Sequence, residues 1–527
     1  MIINPYIYGV ATSYDPDAQL FFNAEAAAGV TLTTTQMNAV NQWVVDSKAI
    51  GIWTKMKAVY PMVGGTATAH KFNLKNPLDT NAAFRLSFIG GGTHSSNGYQ
   101  PNGVNAYADT FLIPSTTLTL NSQHINYYSR TNANGTEVEI GCNNAGAQPN
   151  TLIEIRTTGV TYLAISSSTY TTYTDANSLG FYLGSRTASG TKLYKNNAIA
   201  ASSVTTASGL PVQSIGLGAL NSGTLRQYYS TKQCAFASIG DGLTDLESQL
   251  FYQITEKYQV ALSRNVNTTQ SFYYNSAYNN ETNAFLFSTQ ITDNTIQTAT
   301  NTLVSDLKTA NIFTKMKAIY PMVGGTATTC KFNLVNAQDS NAAYRLVFSG
   351  GGTFSSNGIQ FNGTNSYADT FLNSLSNLTA ASTHLSFYSR TATVGAIVDM
   401  GNSNSVSGSV IMHLRAAANF LAGSTAAITN FTTTASALGF WLGSKRANND
   451  RETYLNGVPQ LTNITNDTTV NNSLSIYLGA SNVAGIANNY SSNQCAFASI
   501  GDGLTDAEAL AFYNAVQTFN TSLSRNV

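Results

Sequence analysis

Charge is scarce in this 527-residue chain. Asp, Glu, Lys and Arg together make up 10% of it, against roughly 25% in ordinary soluble proteins. Acids and bases balance at 26 each, so the net charge is zero. No basic face is available to displace counterions from a nucleic acid, and none is expected as a partner. No stretch of 18 apolar residues occurs, which excludes a transmembrane helix and predicts no membrane insertion. The opening MIINPYIYGVATSYDPD has neither the basic nor the apolar stretch of a secretory signal peptide. Cysteine is limited to 4 residues. What takes the place of charge is Ser, Thr, Asn, Gln and Gly, with many tyrosines. Such surfaces are typical of extracellular adhesins and paratope-like recognition surfaces.

The chain states most of this twice. WTKMKAVYPMVGGTATAHKFNL begins at Trp53 and FTKMKAIYPMVGGTATTCKFNL at Phe313, an offset of 313 − 53 = 260. QCAFASIGDGLTD begins at Gln233 and again at Gln494, an offset of 494 − 233 = 261, and LSRNV closes both halves. The chain is a tandem duplication, read as an arm over 1–9, a first unit over 10–266 and a second over 267–527. The duplication is an internal control, since a residue needed for a shared activity should recur at the matching place. Only Cys234 and Cys495 recur, and in different copies; Cys142 falls opposite Asn402, and Cys330 opposite His70. Reduced, mostly buried thiols are expected rather than a disulfide framework.

In the second unit Ile296, Ala299, Leu303, Leu307 and Ala310 are spaced by three or four, one apolar face of a helix capped by Asp293 or Asn294. Ala39, Trp43 and Ile50 hold the matching places, with Val40 and Val44 widening the stripe. AFRLSFIGG, HINYYSRT and GFYLGS, with their counterparts AYRLVFSGG, HLSFYSRT and GFWLGS, alternate apolar and polar residues and predict strands. Each unit then ends in a capped helix. Thr244 stands three before Glu247 and Thr505 three before Glu508, so hydroxyl and carboxylate each satisfy an orphan amide.

A strand such as LSFYSR, the glycine-bounded NGTNSYADTFL, YLNG at Tyr454–Gly457 and the terminal SIGDGLTDAEALAFYNAV resemble the laminin-G-like, concanavalin A-like jelly roll. The resemblance implies a mainly β protein of two tandem jelly-roll sandwiches, each with a preceding helix and a short C-terminal helix. KMKAxYPMVGGTA and IGDGLTD-x-E are similar to repeats in structural proteins of tailed bacteriophages, which implies a virion protein. A polar, uncharged surface combined with unpaired thiols fits a particle assembled in the bacterial cytoplasm.

The resemblance leaves the ligand open, because these folds serve as lectins, hydrolases and spacers. Glu137 and Glu139 in TEVEIG share a strand face, as glycosidase acids do. The second copy has Ile397 and Asp399, so the pair is not maintained and no catalysis is expected. His70 faces Cys330, His94 faces Phe354 and His413 lies near the position of Glu154. Only His124 and His384 recur, and a lone histidine makes neither a zinc site nor a triad; a strand-edge or capping role is expected. GGGTHSSNG and GGGTFSSNG lack the Lys and the helix of a phosphate loop and read as a hairpin or loop. Calcium would suit Asp109 and Asp369, or Asp241, Asp245, Asp502 and Asp506, if their oxygens converged; the metal question stays open, and no other cofactor is expected. For a host-surface glycan, the repeated candidates are Tyr182/Trp441, Arg130/Arg390 and Tyr107/Tyr367, against a core role for the aromatics. Met1–Gly9 is the expected contact with other virion proteins, and a homo-oligomer is expected.

Overall fold

The computed structural model describes residues 14–527 apart from 269–271, 394–396, 405–407, 415–416, 425–431 and 434–435. Met1–Gly9 lies outside the described residues. Two compact units result, the first ending at Ser276 and the second starting at Ala277.

Unit 1 opens with two helices, Pro16–Ala27 and Thr34–Ala49. The second is the one its periodicity predicts, with Ala39, Val40, Trp43 and Val44 buried. The first was not anticipated. Its apolar pattern is weak, although Asp15 as cap and Pro16 in the first turn are recognisable start signals. Unit 2 repeats the pair as Asn280–Thr289 and Asn294–Thr309, and Asp293 caps the latter by accepting from the amides of Thr295 and Ile296.

The rest of unit 1 is a sandwich. One sheet runs in the order Ala198–Ser203, Gly190–Lys195, Gly180–Thr187, Gln123–Ser129, Cys234–Gly240, Gly98–Gln100, Thr93–Ser95, with Met56–Tyr60 also paired to Cys234–Gly240. The other runs Thr171–Thr174, Val160–Ser167, Ala147–Thr157, Ile140–Asn144, Gly216–Leu217, Tyr107–Asp109, Ser87–Ile89. A hairpin of Leu220–Ser222 and Leu225–Gln227 joins this second sheet through Ile140–Asn144. The spatial order is far from the sequence order, as in a jelly roll. Unit 2 repeats both orders, strand for strand. The core between the sheets holds Ile125, Tyr127, Ile140, Ile153, Tyr182, Leu217 and Ile239. In unit 2 Leu385, Phe387, Met400, Met412, Trp441, Leu478 and Ile500 take those places.

The closing helices, Asp245–Ala261 and Asp506–Ser522, carry the predicted capping boxes. Lys55 and Lys315 each add a salt bridge to the boxed Glu247 and Glu508, at 2.7 and 2.6 Å. These helices lie on the outer face of the first sheet. Phe181 and Phe236 point outward to Phe251, with ring centres 5.1 and 6.1 Å away, and Trp43 meets Phe236 at 5.1 Å. Gln123–Ser129 is consequently buried at every residue. That strand and GFYLGS are covered on both faces rather than alternating between core and water.

Two repeated phrases explain each other. Met62 and Met322 in YPMVGG have φ of 51° and 49°, a left-handed conformation costly for a side chain. Arg264 of the terminal LSRNV donates to the carbonyls of Met62 (2.7 Å), Pro61 (2.8 Å) and Ala235 (2.7 Å). Arg525 does the same to Met322 and Pro321, at 2.8 and 2.6 Å. A guanidinium fork at the end of each unit thus pins the turn near its beginning. The GGGT segments connect a strand of one sheet to a strand of the other. At Gly90, with φ +83°, a Cβ would sit 1.9 Å from the Asn105 carbonyl oxygen. Glycine is there for backbone clearance, not for phosphate.

Candidate functional site

The paired acids are enclosed around a lysine. Glu137 and Glu139 do share a face, but both are buried, and Lys232, itself wholly buried, lies between them at 2.9 and 3.1 Å. Ser230 and Thr231 complete the cage with hydroxyl donors. Burial raises the Glu139 carboxyl, opposed by Lys232. Burial also works to raise Glu137, but the Thr231 amide and the Lys232 ammonium outweigh it and hold that carboxyl low. In unit 2 Asp399 accepts from Ser491 (2.7 Å), Asn493 (2.9 Å) and the Leu414 amide (2.7 Å). Asn493 stands where Lys232 does, so the cation disappears together with the second acid.

His124 and His384 are not at a strand edge. They lie wholly buried in a central strand, with Nδ1 2.6 Å from the carbonyls of Asp241 and Asp502. Nε2 meets the hydroxyls of Ser238 and Ser499 at 3.2 and 3.0 Å. They tie the strand to the GDG turn. In unit 1 His70 and His94 face each other through Nδ1 at 3.0 Å.

The repeated aspartates serve local ion pairs. Asp241 and Asp502 pair with Lys57 and Lys317, at 3.1 and 3.2 Å. Asp245 accepts from Lys192 and Tyr194, and Asp506 from Arg446 and Tyr454. Among the described residues no group of three or more His, Cys, Asp or Glu could hold a metal ion. All four cysteines are free and buried. Arg130 and Arg390 donate to the carbonyls of Arg264 and Arg525, at 2.7 and 2.6 Å, and so position the clamping arginines. Tyr182 and Trp441 are core residues.

Tyr107 and Tyr367 are the repeated candidates left on an accessible surface. The helices cover the outer face of the first sheet in each unit; these tyrosines lie on the outer face of the other. Along Tyr107–Asp109, Ala108 points into the core while Tyr107 and Asp109 point outward together. Arg226 of the hairpin donates to Asp109 at 3.1 Å, with its guanidinium carbon 5.1 Å from the Tyr107 ring centre. The Tyr229 ring lies 6.3 Å away. In unit 2 Tyr367 stacks on Tyr477 at 4.7 Å and meets Tyr490, the counterpart of Tyr229, at 6.4 Å. Asp369 again lies two residues on. Each unit therefore presents half-buried phenol rings beside a carboxylate, which can stack on the C–H face of a sugar and accept from its hydroxyls. Sequence reasoning missed Tyr229, Tyr490 and Arg226. The two tyrosines were readable as a recurrence just before QCAF; Arg226 was not, because Ala487 replaces it.

A second feature lies on this face of unit 1. A groove of about 370 Å³ opens over the strands Ile140–Asn144 and Ala147–Thr157, beside the hairpin. Glu154, Asn150, Tyr170 and Tyr228 line it, over a floor that includes Leu152 and Leu220.

No protein-family model matches the sequence, and no curated protein matches it. Among solved structures, the chain is similar to domain 4 of an extracellular arabinanase from Geobacillus stearothermophilus in complex with arabinotriose: 14% identity, 38% of this chain and 98% of that one, TM-score 0.28. It is also similar to domains LG4-5 of the mouse laminin alpha1 chain, with 10% identity over 75% of this chain and 87% of that one, TM-score 0.22. A Trypanosoma rangeli sialidase mutant matches at 8% identity over 71% of this chain and 55% of that one, TM-score 0.30. The chain spans about half the length of that sialidase. The jelly-roll assignment rests on the sheet order and core described above.

Proposed function

We propose that this chain is a non-enzymatic structural component of a tailed-phage virion, a fibre, appendage or decoration protein, that contributes to recognition of host-surface glycan. The observation that carries the recognition role is the repeated aromatic platform, Tyr107 with Tyr229 and Tyr367 with Tyr490, each beside an aspartate on a face that no helix covers among the described residues. Two copies raise the apparent affinity of a weak contact through effective concentration. The virion setting is supported by the similarity of KMKAxYPMVGGTA and IGDGLTD to phage repeats, and by four buried free thiols suited to a reducing cytoplasm. Binding rather than cleavage is supported by the burial of Glu137 and Glu139 around Lys232, since glycoside hydrolysis needs two carboxyl groups open to the sugar. Met1–Gly9 is proposed to join the chain to its particle by adding a strand to a neighbouring protein, and the working form to be a homo-oligomer.

The test is a phage carrying Tyr107→Ala and Tyr367→Ala. Mass spectrometry of purified particles should find the chain in the virion at wild-type abundance, while adsorption to host cells falls at least tenfold. A chain absent from particles would remove the virion reading. Unchanged adsorption would remove the recognition reading.

A further inference from the structure

The hairpin of unit 1 ends in an unfavourable residue. Tyr228 has φ of +54°, in the left-handed region where a bulky side chain is strained. Its counterpart in unit 2 is Asn489, at φ +53°, and asparagine tolerates this conformation. The two positions do the same backbone work, since the carbonyls of Tyr228 and Asn489 accept from the amides of Val138 and Val398, at 2.8 and 2.7 Å. The fold accepts asparagine at this place, so the backbone does not call for the tyrosine ring. That ring is 48% exposed and lines the groove with Tyr170, which is 43% exposed. A bulky side chain held in this conformation beside a groove motivates a functional reading of the position.

The groove has a second feature specific to this unit. Glu154 projects from the outer face of Ala147–Thr157, and no hydrogen-bond or ion-pair partner reaches it among the described residues. Burial alone raises its carboxyl to about 7. Strand register places His413 at the matching point in unit 2, since Ile153 pairs with Ile140 as Met412 pairs with Met400. There Nδ1 of His413 lies 3.0 Å from the Ile397 carbonyl. No lysine or arginine lines the groove.

We propose that the groove over Glu154 is a saccharide subsite of unit 1, whose Glu154 and Tyr228 are replaced by His413 and Asn489 in unit 2. It takes a neutral or amine-bearing sugar and rejects carboxylated ones. A sugar ring lies against Leu152 and Leu220 and between the Tyr170 and Tyr228 rings, where its C–H faces lose water. Glu154 accepts from a hydroxyl pair or an ammonium group. A sialic or uronic acid would bring a second carboxylate to a site with no cation to neutralise it, and like charges at close range repel. This inference rests on the glycan reading above but concerns different residues.

The experiment is a glycan array of neutral, amino, uronic and sialylated saccharides, probed with the full chain and with Tyr228→Asn, Glu154→Gln and Tyr107→Ala/Tyr367→Ala. Wild type should bind neutral or amino sugars at least tenfold more strongly than acidic ones. Tyr228→Asn should lose at least fivefold of that signal while melting no lower than wild type, since asparagine suits the backbone. Glu154→Gln should narrow the gap between neutral and acidic sugars, and the platform variant should weaken binding without changing the preference. Wild-type preference for acidic sugars, or groove variants identical to wild type, overturns the subsite and leaves the platform reading standing. No binding to any glycan by wild type overturns both.

Discussion

The Lys232 ammonium lies 3.1 Å from the Glu139 carboxylate, and both side chains are wholly buried. The second unit replaces the cation with a neutral amide: Asn493 donates to Asp399 at 2.9 Å, and burial raises that carboxyl to about 6. Removing one partner from a buried ion pair strands a charge and costs about 3–5 kcal/mol, whereas a matched neutral replacement is often harmless. Lys232→Asn alone should therefore destabilise unit 1 by about that amount. The triple change Glu137→Ile, Glu139→Asp, Lys232→Asn, which installs the pattern of unit 2, should recover most of it. Urea denaturation of wild type and the two variants reads this directly; a triple variant as unstable as the single one would show that the units are not interchangeable here.

Arg264 should tolerate no substitute. Alanine would leave the Met62 carbonyl without its donor and release a left-handed methionine, while the Pro61 and Ala235 carbonyls would keep Tyr258 and Gln259 as donors. A loss of about 1–3 kcal/mol is expected from the one carbonyl left unsatisfied. Lysine should rescue little, because a single ammonium cannot reproduce the planar fork. Arg525→Ala should behave alike in unit 2. A lysine variant with wild-type stability would refute the clamp.

Glu25 is buried in the helix Pro16–Ala27, and its carboxylate oxygens have no hydrogen-bond partner among the described residues. Burial raises its carboxyl to about 9, with Lys71 opposing weakly. A carboxyl raised in the folded state stabilises fully below the unfolded value near 4.5, and that contribution is lost as pH climbs towards 9. Glu25→Gln should then be more stable than wild type by about 2–3 kcal/mol at pH 7, with the difference shrinking towards pH 4.5. Parallel melting curves at pH 4.5, 7 and 9 check the sign. Phe285 holds the matching position in unit 2 and is also buried.

His124 and His384 titrate the opposite way. Burial lowers both to about 4, against the pull of the Asp241 and Asp502 carbonyls. Imidazoles held neutral in the fold stabilise it fully above the unfolded value near 6.5, and the contribution is lost as pH falls from there to 4. Each should cost on the order of 3 kcal/mol by pH 4. His124→Gln with His384→Gln should flatten the acid limb of the melting temperature between pH 6.5 and 4. An unchanged limb would assign acid sensitivity to other groups.

Local signals in the chain were enough for much of this. The repeat, the strand words, the helix over Thr34–Ala49 and the two capping boxes could be read because each depends on neighbours within a few residues. Comparing the copies also showed that Glu137 has no acidic counterpart, since Ile397 stands in its place. Tertiary structure alone decided which faces were open. Tyr182 and Tyr107 look equally suited to a sugar in sequence; one packs between the sheets and the other faces outward. His124 looked like an edge residue and is central, because strands distant in sequence, Gly180–Thr187 and Cys234–Gly240, close on it from both sides. Arg226 and Glu154 gave no signal at all. A period-two pattern says which side chains share a face; which face is covered depends on contacts between residues far apart in the chain.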